Sequence, residues 1–247
     1  MNTADLRVRV DRHFGAVHDA ACLGDVDETL FEPANAALRA RPVSEGGRQA
    51  AWFVHLDGYG GGLDGVLRHY RRGGLVARLS RESYLWCGAR ATRSFAEFHL
   101  LADMHAQGLA VPRPLAAAWW RAGLCYRAAL ITARIPGARP LSAWLQAPVD
   151  VSLARGVARA IAAMHTAGVW HADLNATNIL IDGEDRVWLI DFDKARRGPV
   201  SARRRQANLA RLRRSMRKLG GAPADVWWKG VNEAYLQAGT ENFVRPG

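Results

Sequence analysis

The chain has 247 residues, of which 49% are hydrophobic and 23% charged. This length and balance describe a folded chain with one sizeable core or two lobes, and they exclude disordered and collagen-like proteins. Lys and Arg number 34 against 23 Asp and Glu, which leaves a formal net charge of +11. Such an excess favours an anionic partner, and nucleic acid, acidic lipid and phosphorylated small molecules all remain open on this basis.

Short apolar segments separated by glycines occupy the first third of the chain. The segments AAWFV, GVLRHY and LVARLS have the composition of strands joined by turns. From Arg93 the apolar residues change to helical spacing, and the pattern ends at Gly108. One amphipathic helix of roughly four turns is therefore predicted there.

The second half continues with a predicted strand, YRAALITARI, and a second predicted helix over residues 152–167. The runs NILID and VWLIDF predict a tight antiparallel hairpin, and the remainder from Arg203 is predicted to be mostly helical. This order predicts an α+β protein with two lobes, a strand-rich N-lobe over 1–130 and a mainly helical C-lobe over 131–247.

Cysteine usage and the N-terminus bear on the compartment. Cys22, Cys87 and Cys125 are far apart and odd in number, so neither a disulfide framework nor a zinc site is predicted. No apolar run reaches the length of a secretory signal core or of a membrane-spanning helix of about 20 residues. We expect a protein of the cytoplasm, or one that lies on a membrane without crossing it.

The densest group of chemically active side chains lies in the segment HADLNATNILIDGEDRVWLIDFD. If its hairpin closes with a four-residue loop at 183–186, Asn178 pairs with Asp191 and their oxygens converge. Amide and carboxylate oxygens from two strands suit Mg²⁺, which completes its shell with water and phosphate. Asp173 lies just before the hairpin, where a carboxylate could deprotonate an attacking hydroxyl in phosphoryl transfer.

The spacing H-x-D-x-x-x-x-N followed by D-F-x matches the catalytic loop and metal-binding turn of the protein-kinase-like fold. Asp173 is the predicted catalytic base, and Asn178 and Asp191 are the predicted magnesium ligands. Asp193 stands where protein kinases carry glycine, which argues against a protein substrate. His171 is interpreted as a structural brace of the loop.

Acidic residues of the hairpin turn have a simpler interpretation. Asp182, Glu184 and Asp185 are the residue types that form turns, and no catalytic role is assigned to them.

The nucleotide-binding side carries a weaker pattern. Gly46, Gly47 and Arg48 lie in a predicted strand-turn-strand that could cover the phosphates of ATP, although a Gly-Gly pair is also an ordinary turn. A kinase needs a cation on a following strand paired with an acid on the first helix. Arg68 and Glu97 are the candidates, with a solvent-exposed Arg68 as the alternative.

The excess positive charge is concentrated in one segment. Lys194–Lys218 contains eleven basic residues and no acidic one, and the rest of the chain has 23 of each sign. Within it Leu209, Leu212, Met216 and Leu219 recur at helical spacing. The apolar stripe is expected to pack on the large lobe. The arginines then face either solvent or an anionic lipid surface, and a packed stripe is compatible with both.

Several strings together go beyond a generic kinase: VLRHYRRGGLVARLSRESYLW, TRSFAEFHLL, GLAVPRPLAA, LITARIPGARPL, HADLNATNILID, LIDFDKAR and QANLARLRRSMRKL. From about Gly46 to about Gly239 the chain resembles the 3-deoxy-D-manno-octulosonic acid (Kdo) kinase family, among the lipopolysaccharide kinases of Gram-negative bacteria. The resemblance implies ATP- and Mg²⁺-dependent phosphorylation of the Kdo 4-hydroxyl on a lipid A precursor. It also implies a peripheral protein at the cytoplasmic face of the inner membrane.

Other functions fit parts of the pattern. A heptose or aminoglycoside-type kinase would share the fold, although a cationic antibiotic suits an acidic pocket better than this basic chain. A nucleic-acid-binding module would use the basic segment, but no nucleic-acid-binding motif is recognised in the sequence. A non-catalytic pseudokinase scaffold would not need Asp173, Asn178 and Asp191 together.

Overall fold

A computed structural model describes residues 5–43, 51–60, 62–70 and 84–241, with the side chains of 239–241 outside that description. The chain divides into two compact units, one made of residues 1–106 and 112–134 and the other of residues 107–111 and 135–247. Strands dominate the first unit and helices the second. The predicted α+β class with two lobes is confirmed.

The first unit is built on one antiparallel sheet. Within the described ranges its strands are β1 (Leu6–Val10), β2 (Phe14–Asp19), β3 (Arg41–Pro42), β4 (Ala51–His55), β5 (Asp64–His69), β6 (Tyr84–Leu85), β7 (Pro114–Ala122) and β8 (Cys125–Ala133). Their order in the sheet is β1-β2-β7-β8-β5-β4-β3, with β6 also paired to β8. The sequence patterns predicted β4, β5 and β8; LVARLS lies outside the described residues. They missed β7, whose alanine-rich start lacks the branched residues typical of strands.

Helix α1 (Arg93–Ala106) packs against β7 through a buried apolar face. Phe95, Phe98 and Leu101 are at most 2% exposed. The hydroxyl of Ser94 donates a hydrogen bond of 2.8 Å to the carbonyl of Ala118 on β7. The helix is therefore held against the sheet, and it carries the carboxylate of Glu97 on its buried side.

Among the described residues, the second unit contains three α-helices and short strands. The helices are α2 (Val151–Thr166), α3 (Ala202–Gly220) and α4 (Pro223–Glu241), and the strands are β9 (Arg139–Pro140), β10 (Val169–Trp170), β11 (Ile179–Ile181), β12 (Val187–Leu189) and β13 (Arg196–Arg197). Strand β11 pairs with β9 and β12, and β10 pairs with β13. Asp150 caps α2 by accepting from the backbone N–H groups of Ser152 and Leu153. Gly168, at φ +74°, ends that helix close to the backbone of Gly198, where a side chain would be crowded.

The predicted register of the hairpin was wrong by one residue. Strands β11 and β12 pair Ile179 with Leu189 and Ile181 with Val187. The Asp182 N–H donates to the Arg186 carbonyl at 3.0 Å, so the loop has three residues, 183–185, instead of the predicted four, and Asp185 adopts a left-handed conformation with φ +59°. As a result Asn178 lies opposite Ile190, whose backbone N–H donates to the Asn178 carbonyl at 3.0 Å, and not opposite Asp191.

Asp182 is the physical reason for the shorter loop. Its buried carboxylate accepts from the backbone N–H groups of Glu184 and Arg186 and from the side chains of Arg186 and Trp188, at 2.9–3.0 Å. Burial opposes ionisation of this carboxyl, but the hydrogen bonds outweigh burial and lower its pKa to about 2. The interpretation of Asp182 as a turn-forming residue agrees with these contacts.

A chain of buried polar side chains connects the three helices of the second unit. The imidazole of His165 on α2 is 1% exposed and lies between the Tyr235 hydroxyl on α4, at 2.8 Å from Nδ1, and Asn208 Oδ1 on α3, at 3.0 Å from Nε2. Asn208 uses its amide nitrogen as a donor to the carbonyl of His171, so its Oδ1 must accept from His165. His165 therefore carries its proton on Nε2 and accepts from Tyr235. A neutral ring satisfies every partner.

Helix α3 buries its apolar stripe within the second unit. Leu209, Leu212 and Met216 are at most 9% exposed, whereas Leu219 at the end of the helix is 44% exposed and does not belong to the buried stripe. Among the described helices, none combines the length and the apolar content needed to cross a membrane.

Removing the Asp182 carboxylate should destabilise the hairpin. We expect Asp182→Ala to lower the free energy of unfolding by about 2 kcal/mol, because the Trp188 indole and the Arg186 guanidinium lose a buried acceptor. Urea unfolding at pH 7 measures this loss. Glu184→Ala is the control, since its exposed carboxylate only reaches Arg186 at 3.3 Å and should cost less than about 0.5 kcal/mol. Equal losses in the two variants would contradict the role given to Asp182.

Acid should destabilise the protein in part through His165. Burial lowers the pKa of this ring from 6.5 to about 4. Because folding favours the neutral form, this stabilisation is complete above pH 6.5 and is lost as the pH falls from 6.5 towards 4. The loss between pH 7 and pH 5 should be about 2 kcal/mol, and His165→Gln should lack that part of the pH dependence. Urea titrations at both pH values, with exposed His13→Gln as the control, test this expectation; an unchanged pH dependence in His165→Gln would refute it.

Candidate active site

His171 organises the loop between β10 and β11. Its ring is fully buried, Nδ1 accepts from the backbone N–H of Asp173 at 3.0 Å, and Nε2 lies 3.0 Å from the carbonyl of Ile190. Because the Asp173 N–H can only donate, the ring proton is on Nε2 and is donated to Ile190. Burial lowers the pKa of His171, which keeps the ring neutral. One imidazole thus connects the loop that carries Asp173 to the residue that precedes Asp191.

Two asparagines shape the rest of this loop. Asn175 Oδ1 accepts from the backbone N–H groups of Thr177 and Asn178 and from the Thr177 hydroxyl, which closes an Asx turn. Asn178 then donates from Nδ2 to the carbonyl of Asp173 at 3.0 Å. This bond directs the amide nitrogen of Asn178 towards the loop, and the amide oxygen is the end that remains for a cation.

The segment after β12 turns sharply at Asp191, which has a left-handed backbone conformation with φ +63°. The next residue, Phe192, is 1% exposed and packs on the His171 ring with the ring centroids 4.8 Å apart. The buried phenyl group anchors the turn, and the half-buried Asp191 and Asp193 flank it. Lys194 continues the turn with φ +62°.

The donor set fits a hard divalent cation. Asn178 offers an amide oxygen and Asp191 a carboxylate, which are the oxygen ligands that Mg²⁺ takes in small numbers beside water and phosphate. Among the described residues, no three His, Cys, Asp or Glu side chains group together as a metal site.

Helix α3 contributes residues that the sequence patterns did not assign to the site. Arg211 donates from Nη1 to Asp173 Oδ1 at 2.5 Å, and both side chains are about half exposed. Asn208 donates to the carbonyl of His171 at 2.7 Å, and the Ser215 hydroxyl accepts from the backbone N–H of Ala176 at 3.1 Å. The charge pattern places Arg211 only within the basic segment, and its spacing from Asn208 and Ser215 on one helix face is the sequence signal that could have found it.

In the first unit, Arg68 on β5 and Glu97 on α1 form an ion pair. Arg68 Nη2 lies 2.6 Å from Glu97 Oε2, and the side chains are 17% and 3% exposed. The Tyr70 hydroxyl donates to the same carboxylate oxygen at 2.6 Å, and the Arg68 guanidinium lies 4.7 Å from the Tyr70 ring centroid. The largely buried position of Arg68 disagrees with the alternative of a solvent-exposed arginine.

Gly46, Gly47 and Arg48 lie outside the described residues.

Comparison with known proteins identifies the family of the chain. Residues 34–235 match the model of the "Lipopolysaccharide kinase (Kdo/WaaP) family". The chain is 49% identical over 214 residues to a 3-deoxy-D-manno-octulosonic acid kinase of Xanthomonas campestris pv. campestris (strain B100), covering 86% of this chain and 84% of that one. It is 46% identical over 229 residues to the protein of the same name from Stenotrophomonas maltophilia (strain R551-3), covering 89% and 87%.

The family match spans most of the chain and includes the loop with His171 and Asp173, the hairpin, and helix α3 with Arg211. The resemblance seen in the sequence is therefore confirmed at the level of the family. The chain belongs to the lipopolysaccharide kinase (Kdo/WaaP) family.

Proposed function

We propose that this protein transfers the γ-phosphate of ATP to the 4-hydroxyl of the Kdo residue on a Kdo-lipid A precursor. The names of its relatives support the acceptor, and the family supports the reaction. The observation that carries the proposal is the catalytic loop, in which His171 and Asn178 both bind the backbone of Asp173 while its carboxylate is left half exposed.

Asp173 is the proposed catalytic base. His171 accepts from its backbone N–H and Asn178 donates to its carbonyl, so the backbone at this residue is held on both sides. Its carboxylate is exposed enough to accept a hydrogen bond from an acceptor hydroxyl and to take the proton as the phosphate bond forms. Proton abstraction by a general base requires an ionised carboxylate held at a defined position.

Asn178 and Asp191 are the proposed ligands of Mg²⁺. When bound, the ion would neutralise negative charge on the phosphate oxygens of ATP. The Asn178 amide is oriented by its bond to the Asp173 carbonyl, and the turn at Asp191 is anchored by the buried ring of Phe192. The chain therefore holds both oxygen donors through contacts that do not depend on the metal.

Arg68 is proposed to bind phosphate oxygens of ATP in place of the usual lysine. Glu97 pairs with its guanidinium, which also lies over the Tyr70 ring, so the planar group has a defined direction. Arginine can donate two parallel hydrogen bonds to a phosphate, whereas lysine acts as a point charge. Gly46, Gly47 and Arg48 are proposed to cover the phosphates.

The outward arginines of α3 are proposed to contact anionic lipid at the cytoplasmic face of the inner membrane. Arg203, Arg214 and Arg217 are exposed on the side of the helix opposite to the buried Leu212 and Met216. Lys and Arg close to an anionic surface contribute about 1 kcal/mol each. A protein that phosphorylates a glycolipid would gain from such a surface.

Asp173→Asn should abolish most phosphate transfer. Loss of a general base typically costs about 10²–10⁴-fold in rate, and we expect kcat to fall within this range while binding of ATP and Mg²⁺ is retained. The assay incubates enzyme, ATP and Mg²⁺ with Kdo-lipid A precursor or free Kdo, and mass spectrometry detects one added phosphate.

The matched control is Asp185→Asn, the same change at an exposed turn residue whose left-handed backbone tolerates asparagine. It should retain full activity. Undiminished turnover of Asp173→Asn would rule out Asp173 as the base, and no phosphate on either acceptor with the unaltered enzyme would rule out the proposed reaction.

Replacing Arg203, Arg214 and Arg217 with Gln should weaken binding to vesicles that contain anionic lipid by at least about tenfold at low salt, and should flatten its salt dependence. Co-sedimentation measures both. Arg7, Arg9 and Arg12, all exposed in the first unit, form a matched control with the same change in net charge. Equal weakening by the two triple variants would mean that net charge, and not α3, determines binding.

A further inference from the structure

Helix α3 contacts the catalytic loop at three points along one of its faces. Asn208, Arg211 and Ser215 are spaced three and four residues apart, which aligns them on one side of a helix. They bind, respectively, the His171 carbonyl, the Asp173 carboxylate and the Ala176 backbone N–H. The helix therefore lies along the loop and contacts it at His171, Asp173 and Ala176.

The position of α3 is fixed from its other side as well. Leu209, Leu212 and Met216 are buried, and His165 holds the Asn208 amide from α2. A helix held by buried apolar contacts and by polar anchors has little freedom to rotate. The backbone of Arg211 is thus set at a fixed place beside Asp173.

The guanidinium that contacts the proposed base comes from α3 and not from the loop itself. Residues 169–178, VWHADLNATN, contain no lysine or arginine. Asn175 uses its side-chain oxygen within the Asx turn, and the buried His171 ring is kept neutral. A substrate that approaches Asp173 therefore meets the guanidinium of Arg211.

Arg211 has donors to offer to such a substrate. A guanidinium carries five N–H groups in one plane, and the bond to Asp173 uses Nη1. The side chain is 48% exposed and that of Asp173 is 53% exposed. An acceptor whose hydroxyl binds Asp173 must bring its neighbouring groups to the same guanidinium.

We propose that Arg211 forms the subsite for the carboxylate of the sugar-acid acceptor. This inference rests on the proposed function, in which the acceptor is a sugar that carries a carboxylate. One guanidinium can bridge two carboxylates, and the bridge would place the acceptor with its hydroxyl at Asp173 and its own carboxylate on the remaining N–H groups of Arg211. Arg211 would thereby select acidic sugars over neutral ones.

The subsite has a measurable signature in substrate selectivity. A site built to bind a polar group rejects an analogue that lacks this group, often by large factors. We compare Kdo-lipid A precursor with the same precursor carrying its Kdo carboxylate as a methyl ester. The unaltered enzyme should use the acid at least about tenfold more efficiently, measured as kcat/KM.

Arg211→Gln should remove that selectivity. We expect kcat/KM for the acid to fall by at least about tenfold more than kcat/KM for the ester, so that the two acceptors become nearly equivalent. Arg211→Lys should retain part of the preference because it keeps the charge. Arg155→Gln, a change of the same type at an exposed position of α2, should leave the ratio unaltered.

The outcomes separate the two proposals. If Arg211→Gln slows both acceptors by the same factor, or leaves both unchanged, Arg211 does not bind the carboxylate and the subsite is refuted while the kinase function stands. If the unaltered enzyme phosphorylates neither acceptor, the proposed function fails and the subsite fails with it. Urea unfolding of each variant verifies that the protein remains folded.

Discussion

The buried, uncharged imidazole of His171 is the constraint on which the candidate active site depends. It joins two segments that are distant along the chain, since Nδ1 accepts from Asp173 and Nε2 donates to Ile190. A charged ring would lose the bond from the Asp173 N–H, because both nitrogens would then be donors. Burial disfavours that charged form, so the same environment that hides the ring also preserves its bonding pattern.

The polar chain that begins at this histidine explains why helices far along the sequence matter for the loop. Asn208 connects the His171 carbonyl to His165, and His165 connects to Tyr235 on the last helix. Buried hydrogen-bond networks of this kind tolerate little change, because the loss of one side chain would leave the hydrogen-bonding group of its neighbour unsatisfied. The second unit therefore positions the loop that carries Asp173 through a continuous set of contacts across three helices.

The basic segment divides into groups with different surroundings. Arg211 turns towards Asp173, Arg205 donates to the Val200 carbonyl, and Arg203, Arg214 and Arg217 face outward. All of them belong to the same basic segment, and their positions around the axis of α3 assign each one its side. The net charge of +11 thus combines a proposed substrate contact with a proposed lipid-facing surface.

Much of the fold could be predicted from the sequence, because periodicity is a local property. Helical spacing predicted α1 and α2, the two apolar runs predicted the hairpin, and branched and aromatic residues predicted β4, β5 and β8. Strand β7 was not predicted, because its burial in the sheet, and not its own composition, keeps it extended. The hairpin register was predicted wrongly because the side chain of Asp182 accepts hydrogen bonds from the turn and fixes its length. A shift of one residue then changes every pair of the two strands.

The sequence by itself determined the family and the candidate residues Asp173, Asn178 and Asp191, since motif spacing and similarity survive without coordinates. Only the tertiary structure decided that Asn178 lies opposite Ile190 and that Arg211 pairs with Asp173. The physical reason is that these contacts join residues that are far apart in the sequence. Residues 173 and 211 lie on a loop and on a helix that pack together, and the spacing that aligns residues on one helix face does not specify which loop that face will meet.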